Sequence, residues 1–270
     1  MKCPNCGAKN KSGNKYCEEC GAKLVSDEMR QQSLQMAGNA GVMLGAAARQ
    51  RRLDADYSDD TIISGRQFNA IMVGVVLWGL VVNVFLCKTV GDVYNYINPI
   101  LFTVLYLVLA IGGTIIAGKS DDPLISFLGY NMIVVPFGLV ISTLVEGYGG
   151  LDSQIVLNAF VYTALISFGM LGMSMAFPQF FEKLGGALLS CLLGMIVCEL
   201  LLMLFHVRQT VTDWIVAAIF SFYIGYDIYR SQKFVKTVDN AVDCALDIYL
   251  DVANLFVRVL RIMASSKRND

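Results

Sequence analysis

Four cysteines near the amino terminus have the spacing of a metal-binding site. Cys3, Cys6, Cys17 and Cys20 form the pattern C-x2-C-x10-C-x2-C, and the sequence around the first pair repeats around the second. Two thiolates separated by two residues can hold one face of a tetrahedral zinc ion. A segment this short cannot fold around a hydrophobic core, so the metal would supply the folding energy. We predict a structural zinc ribbon over residues 1–24 rather than a pair of disulfides, because a cytosolic segment has no oxidising environment.

A second set of residues with chemical potential is a series of acids near the carboxyl end. Asp239, Asp243, Asp247 and Asp251 recur every four residues, which places them within about 120° of one helical face. A carboxylate at membrane depth is costly and is therefore a candidate for function, facing the protein interior or water. For Asp239 and Asp243 we expect a simpler explanation, in which they are solvated charges or helix-start residues near the cytoplasmic loop. Asp247 and Asp251 lie too deep for that explanation.

Two further acids interrupt apolar sequence. Asp227 ends the apolar run 219–226, and Glu199 follows Cys198. We expect Glu199 to face inward, either as a contact paired across helices or as part of a functional site.

The composition identifies the setting of these residues. The chain of 270 residues is 56% hydrophobic and 16% charged, whereas a soluble domain is about 25% charged. No Asp, Glu, Lys or Arg occurs between Arg66 and Lys88, and three later stretches (93–118, 123–145 and 153–181) are equally free of charge. Each is long enough to cross about 30 Å of hydrocarbon. We predict an all-α polytopic membrane protein and exclude an ordinary soluble enzyme.

The charge-free stretches and their flanks predict a seven-helix transmembrane bundle over residues 67–263. The expected spans are 68–87, 97–118, 124–145, 155–177, 185–206, 212–229 and 240–263. Short connections should make sequence neighbours pack together. The last span is ambiguous, because its length favours a crossing whereas the basic carboxyl end, including the tail 264–270, favours a re-entrant or interfacial segment.

The amino-terminal region between ribbon and bundle, residues 25–66, is predicted to be a linker or an interfacial helix. Basic residues before the first span (Arg49, Arg51, Arg52 and Arg66) place the amino terminus in the cytoplasm. The net charge of −1 gives no reason to expect a nucleic-acid partner. The expected partners are the lipid bilayer and a protein that docks on the ribbon, and the expected location is a prokaryotic plasma membrane.

The carboxyl-terminal third resembles a known family. Gly225-Tyr226-Asp227-Ile228-Tyr229 and the later run from Ala245 to Phe256, which contains Tyr249-Leu250-Asp251 and Asn254-Leu255-Phe256, are similar to the signature of the Bax inhibitor-type family, also called the transmembrane Bax-inhibitor-motif family. The resemblance extends more weakly over residues 66–263 and does not include the ribbon.

This resemblance implies a seven-helix protein with a pH-sensitive calcium leak. In the family two aspartates, matching Asp227 and Asp251, share a proton and close the pore, with Asp247 as a supporting acid here. Loss of the proton would leave two like charges close together and create oxygen ligands for calcium. The family's basic latch is matched most nearly by Lys119, which is followed by acids rather than by further cations.

Two other functions fit parts of the sequence. A non-transporting scaffold or regulator could dock other proteins through the ribbon. An intramembrane aspartyl protease would use two such acids, but the expected Gly-x-Gly-Asp is replaced by Ile248-Tyr249-Leu250-Asp251. No phosphate loop, nucleophile elbow or HExxH motif is present in the sequence. We therefore expect a membrane protein that is not an enzyme.

Overall fold

The computed structural model describes residues 62–118, 120, 122–204 and 210–269. They form seven long helices: α1 (Gly65–Thr89), α2 (Pro99–Ala117), α3 (Pro123–Gly147), α4 (Gln154–Ala176), α5 (Pro178–Leu204), α6 (Thr210–Ser231) and α7 (Val238–Asn269). A short 3-10 helix, Val93–Asn95, lies between α1 and α2. The predicted all-α, seven-helix bundle is confirmed.

Local sequence sets where the helices begin. Ser64 and Gln67 form a reciprocal capping box before α1, which satisfies amides that the first turn leaves without helical partners. Asn98 and Asp122 each accept a hydrogen bond from a backbone amide at the start of α2 and α3, and each is followed by a proline. Proline fits the first helical position because its missing N–H would have no partner there.

Five of the described helices, α1 to α5, are long and apolar enough to cross a membrane. Their outer faces expose many large apolar side chains, including Phe85, Val108, Leu165 and Phe168. Such apolar faces suit contact with lipid, because soluble proteins rarely expose large apolar patches to water. The protein is therefore an integral membrane protein.

Helix α7 lies at the centre of the bundle. It packs against α1, α3, α4 and α6, and its contact with α6 is the most extensive between described helices. Every residue from 239 to 251 is buried. Because other helices surround α7, it can carry charged residues that a lipid-facing helix could not.

The order of helices in space differs from the expected order in one respect. The main partners of α1 are α3 and α7, and α3 also packs against α2. The prediction that sequence neighbours pack together is therefore wrong for the pair α1 and α2, and it is also wrong for α3 and α4, whose described residues make no extensive contact. Glycines allow α1 to pack closely against α7 and α3 instead. A Cβ at Gly79 on α1 would lie 2.7 Å from the Tyr249 ring on α7, and a Cβ at Gly138 on α3 would lie 2.6 Å from Asn83 on α1.

We call the membrane side where α7 begins the proximal side and the side where α7 ends the distal side. The connection 231–238 lies on the proximal side, where the Ile63 amide donates to the Lys236 carbonyl at 2.7 Å. Lys236 also donates to the Ser231 carbonyl and lies 4.4 Å from the centre of the Phe68 ring. Burial in this corner lowers the pKa of the Lys236 ammonium.

Candidate functional site

The polar residues of α7 lie along a single face, which we call the polar stripe. At 100° per residue they fall within about 120° of the helix circumference. Between Asp239 and Arg261 the helix rises about 33 Å at 1.5 Å per residue, close to the thickness of the hydrocarbon layer. The members of the stripe are Asp239, Asn240, Asp243, Asp247, Asp251, Asn254, Arg258 and Arg261.

The stripe is inside the protein. All of its members except Arg261 are at most 6% exposed. The expectation that Asp239 and Asp243 are solvated is therefore wrong, although Asp239 does lie in the first turn of α7. A continuous line of buried polar groups across a bundle is expensive, and such residues commonly mark a path for ions or protons.

The two acids that the family resemblance singles out lie on helices that pack together. Asp251 on α7 is 2% exposed and Asp227 on α6 is 4% exposed. The region of α6 around Asp227 is fixed by close packing, because Gly225 contacts the Phe181 ring and Gly185 on α5 lies against the Tyr226 hydroxyl. Asp247 is buried one turn before Asp251 on the same stripe.

The proximal end of the stripe is joined to α3. The Ser126 hydroxyl, which is fully buried near the start of α3, donates a hydrogen bond to Asp239 Oδ1. This bond fixes the first turn of α7 relative to α3. A hydroxyl that donates to a buried carboxylate offsets part of the cost of removing the charge from water.

Aromatic residues hold the middle of α7 against α1 and α3. The Tyr249 hydroxyl donates to Asn83 Oδ1 on α1 at 3.0 Å. Its ring lies 5.8 Å from that of Tyr130 and 6.5 Å from that of Phe137, both on α3. The Tyr130 hydroxyl donates in turn to the Val75 carbonyl on α1. These contacts fix the rotation of α7 and thereby the direction in which the stripe faces.

The distal end of the stripe carries an ion-pair network. Arg258 donates from Nη1 to Glu199 Oε1 at 2.6 Å and from Nη2 to Glu199 Oε2 at 3.0 Å. Nη1 also lies 2.9 Å from Asp213 Oδ1, which Arg261 Nη1 approaches at 3.4 Å. Since Glu199 is on α5 and Asp213 is on α6, the network joins three helices.

Sequence reasoning singled out Glu199 but missed its partners. Arg258 belongs to the basic carboxyl end of the sequence, whereas the structure buries it. Its position seven residues after Asp251 was the available signal, because that spacing places it on the same helical face. No comparable spacing marked Asp213, because it lies next to the connection between the predicted spans 185–206 and 212–229.

The remaining predicted site residues are outside the part of the chain that the structure describes. These are the four zinc-ribbon cysteines (Cys3, Cys6, Cys17 and Cys20) and Lys119. Within the described ranges, no three His, Cys, Asp or Glu residues are arranged to hold a metal ion.

The fold and the site together define a class: a polytopic helical membrane protein whose central helix carries a buried polar stripe. Residues 63–269 match the family described as inhibitor of apoptosis-promoting Bax1. Because this match covers most of the chain, the protein belongs to the Bax inhibitor-type family. Residues 2–24 match the zinc-ribbon domain, which supports a structural zinc ion at the predicted cysteines.

A relative also matches in sequence. The uncharacterized protein Cj0236c of Campylobacter jejuni is 29% identical over 164 residues, which cover 60% of this chain and 62% of that protein. The family match agrees with the membrane insertion that the apolar helices indicate, and the name of the relative assigns it no activity.

Proposed function

We propose that the protein is a pH-sensitive leak for calcium or another cation, gated by Asp227 and Asp251. The observation that carries this proposal is the burial of a carboxylate-rich helix at the centre of a membrane bundle. Acids that served solubility alone would lie at the surface, whereas acids facing the interior of a membrane protein can line an ion path. Carboxylate oxygens are also the ligands that calcium prefers.

The proposed gate uses one proton. Two buried carboxylates on packed helices cannot both be charged cheaply, so in the closed state the pair holds a proton between them. When the pH rises and the proton leaves, two negative charges repel each other and present oxygens to a cation. The flux should therefore be low in acid and should increase as the pH rises.

Other ionisable groups lie on or against α7. Their effect on the pH dependence of the flux must be distinguished from that of Asp227 and Asp251. Asp239, Asp243 and Asp247 share the stripe, Lys236 lies at its proximal end, and Glu199 and Asp213 lie at its distal end. Tyr106, Tyr130, Cys87 and Cys244 line neighbouring parts of the bundle. An Asp247→Asn variant tests the acid nearest to Asp251 on the stripe.

Substitution of the two gate residues tests the proposal. Asn has the shape of a protonated Asp but carries no charge, so the double variant Asp227→Asn with Asp251→Asn should mimic the closed pair. We expect calcium entry into dye-loaded liposomes to stay low at every pH between about 6 and 8, the range in which a coupled carboxylate pair can titrate. The matched control is Asp152→Asn, because Asp152 is exposed in the α3–α4 connection.

The control should keep the wild-type pH profile. If the double variant also keeps that profile while eluting as a folded protein, Asp227 and Asp251 are not the gate. The Asp247→Asn variant should retain a pH step, although its midpoint can shift because it removes a neighbouring charge.

A second candidate function is a non-transporting scaffold or regulator that docks a protein through the zinc ribbon. The match of residues 2–24 to the zinc-ribbon domain supports this alternative. A ribbon held by Cys3, Cys6, Cys17 and Cys20 would be a closed structural site with no open coordination position. A folded protein with no flux at any pH would favour the scaffold over the leak.

The proposed setting is a prokaryotic plasma membrane with the amino terminus in the cytoplasm. The basic residues Arg49, Arg51, Arg52 and Arg66 support this orientation, and the relative in Campylobacter jejuni supports a bacterial origin. Seven crossings would then place the proximal side in the cytoplasm. Lys119 is the proposed counterpart of the family's basic latch.

A further inference from the structure

The distal network occupies a position that the Asp227–Asp251 gate does not explain. Arg258 lies seven residues after Asp251 on the polar stripe, which is two turns or about 10 Å further along α7. A cation that moves along the stripe from Asp251 towards the distal side would therefore meet the Arg258 guanidinium. In the structure this guanidinium is bound to Glu199 and Asp213.

The network is balanced in charge. Glu199 and Asp213 supply two negative charges, and Arg258 and Arg261 supply two positive charges. A buried ion pair is a costly way to hold helices together, because apolar side chains of similar volume often stabilise a protein as well or better. The retention of four charges at this point of the stripe therefore needs a reason besides packing.

The network also fixes the helix that has the weakest packing. Helix α5 packs mainly against α6 and makes a smaller contact with α4, and most of its apolar span is exposed. The bidentate bond from Arg258 to Glu199 ties the distal part of α5 to α7. Release of this bond would free α5 to move away from the stripe.

We propose that Arg258, held by Glu199 and Asp213, closes the distal end of the polar stripe as a second barrier, separate from the Asp227–Asp251 gate. The inference rests on the proposed leak function and assigns its distal closure. The Arg258 guanidinium joins acids on two neighbouring helices, so its side chain and N–H groups lie where a cation would pass. Arginine in a pore is an established barrier to cations.

Substitutions of the two partners should change the flux in opposite directions. Arg258→Gln removes the barrier and leaves an excess negative charge, so cation flux at a fixed pH should increase about tenfold or more. Glu199→Gln leaves Arg258 bound to Asp213 with an excess positive charge, so most of the wild-type flux should be lost. A purely structural role would impair both variants in the same direction. Glu182→Gln is the matched control, since Glu182 is exposed on the same helix.

The double variant Glu199→Gln with Arg258→Gln keeps the proposal testable if Arg258→Gln alone fails to fold. It leaves Asp213 and Arg261 as a neutral pair, so it avoids an uncompensated buried charge even where Arg258→Gln alone does not fold. It should still show increased flux, because the barrier is absent.

A measurement of water access makes the test independent of transport. Asn254 lies on the stripe between Asp251 and Arg258 and is buried. We would introduce Asn254→Cys, place the protein in nanodiscs, add a positively charged methanethiosulfonate reagent, and measure modification at position 254 by peptide mass spectrometry. Modification should be slow with Arg258 present and at least about tenfold faster after Arg258→Gln.

The outcomes separate the two proposals. Faster modification together with opposite flux changes supports the distal closure. If neither substitution changes the flux and the rate of modification at position 254 is also unchanged, the distal closure by Arg258 is wrong. The proposed leak then still stands. If no variant shows flux but Arg258→Gln makes modification at position 254 faster, the proposed leak is wrong. Arg258 is then supported as a barrier to water. An absence of flux with unchanged modification overturns both.

Discussion

At the scale of single residues, the unusual feature of this protein is the number of charges that it buries in a membrane bundle. Each of them costs free energy unless hydrogen bonds and opposite charges compensate it. Arg258 receives such compensation from two acids on different helices, and Asp239 receives it from Ser126. The compensation fixes these side chains and therefore fixes the helices that carry them.

The bond from Ser126 to Asp239 leads to a stability prediction. Ser126→Ala removes a buried hydroxyl donor from a carboxylate, so the free energy of unfolding should fall by about 1–3 kcal/mol. The measurement is thermal unfolding in detergent. Ser190→Ala is the matched control, because the Ser190 hydroxyl is exposed and donates to the Gly186 carbonyl of its own helix. Equal melting temperatures for the two variants would show that the bond does not contribute.

The residues of the site were partly predictable. The four-residue spacing of the aspartates on α7 predicted one polar face, and that face is present. The pairing of Glu199 with Arg258 could not be derived from one sequence, because the partners are 59 positions apart and nothing local fixes which helices meet. Long-range contacts depend on packing, which one-dimensional periodicity does not encode.

At the scale of helices, the contact between α2 and α3 depends on two glycines. Gly113 and Gly129 face each other so closely that a Cβ on either one would lie 2.6 Å from the carbonyl oxygen of the other. Small residues at such crossings allow two backbones to approach, which is a common way for membrane helices to associate.

Gly129→Ala should therefore separate α2 from α3. Because the obstructing atom belongs to the backbone and cannot rotate away, we expect a loss of about 1–3 kcal/mol in the free energy of unfolding. Gly172→Ala on α4 is the control, since no atom lies within 4 Å of its added Cβ. That change should be neutral or slightly stabilising, because alanine favours a helix more than glycine does. A Gly129→Ala variant as stable as the control would contradict the packing, and thermal unfolding would measure both.

The sequence predicted the number of helices better than it predicted their first and last residues. The span expected at 185–206 begins earlier, at Pro178, because the segment after Phe177 continues as helix despite Glu182 and Lys183. The span expected at 240–263 extends to Asn269 as part of α7. Charged residues end a hydropathy pattern, but they do not end a helix.

At the scale of the whole molecule, the bundle is apolar outside and polar along its central helix. Helices α1 to α5 present apolar faces outward, and α7 lies between α1, α3, α4 and α6. Such an arrangement explains why the last helix was ambiguous from hydropathy alone. A helix shielded from lipid needs no apolar surface, so its charges indicate a central position rather than an interfacial one.

The same arrangement separates two roles along one helix. In the proposed leak, the acids of the proximal and middle stripe attract a cation, and the distal network bars its passage at the other end. The proposed proton-dependent gate and the proposed Arg258 barrier are then two closures in series.

The wild-type calcium flux as a function of pH is the sharpest test of the proposed leak. Purified protein in dye-loaded liposomes would be compared with protein-free liposomes at steps between about pH 6 and 8, the range suited to a coupled carboxylate pair. We expect a flux that is low in acid and increases as the shared proton of Asp227 and Asp251 is lost. A folded protein with no flux above the protein-free liposomes, or with a flux that does not change with pH, would contradict it.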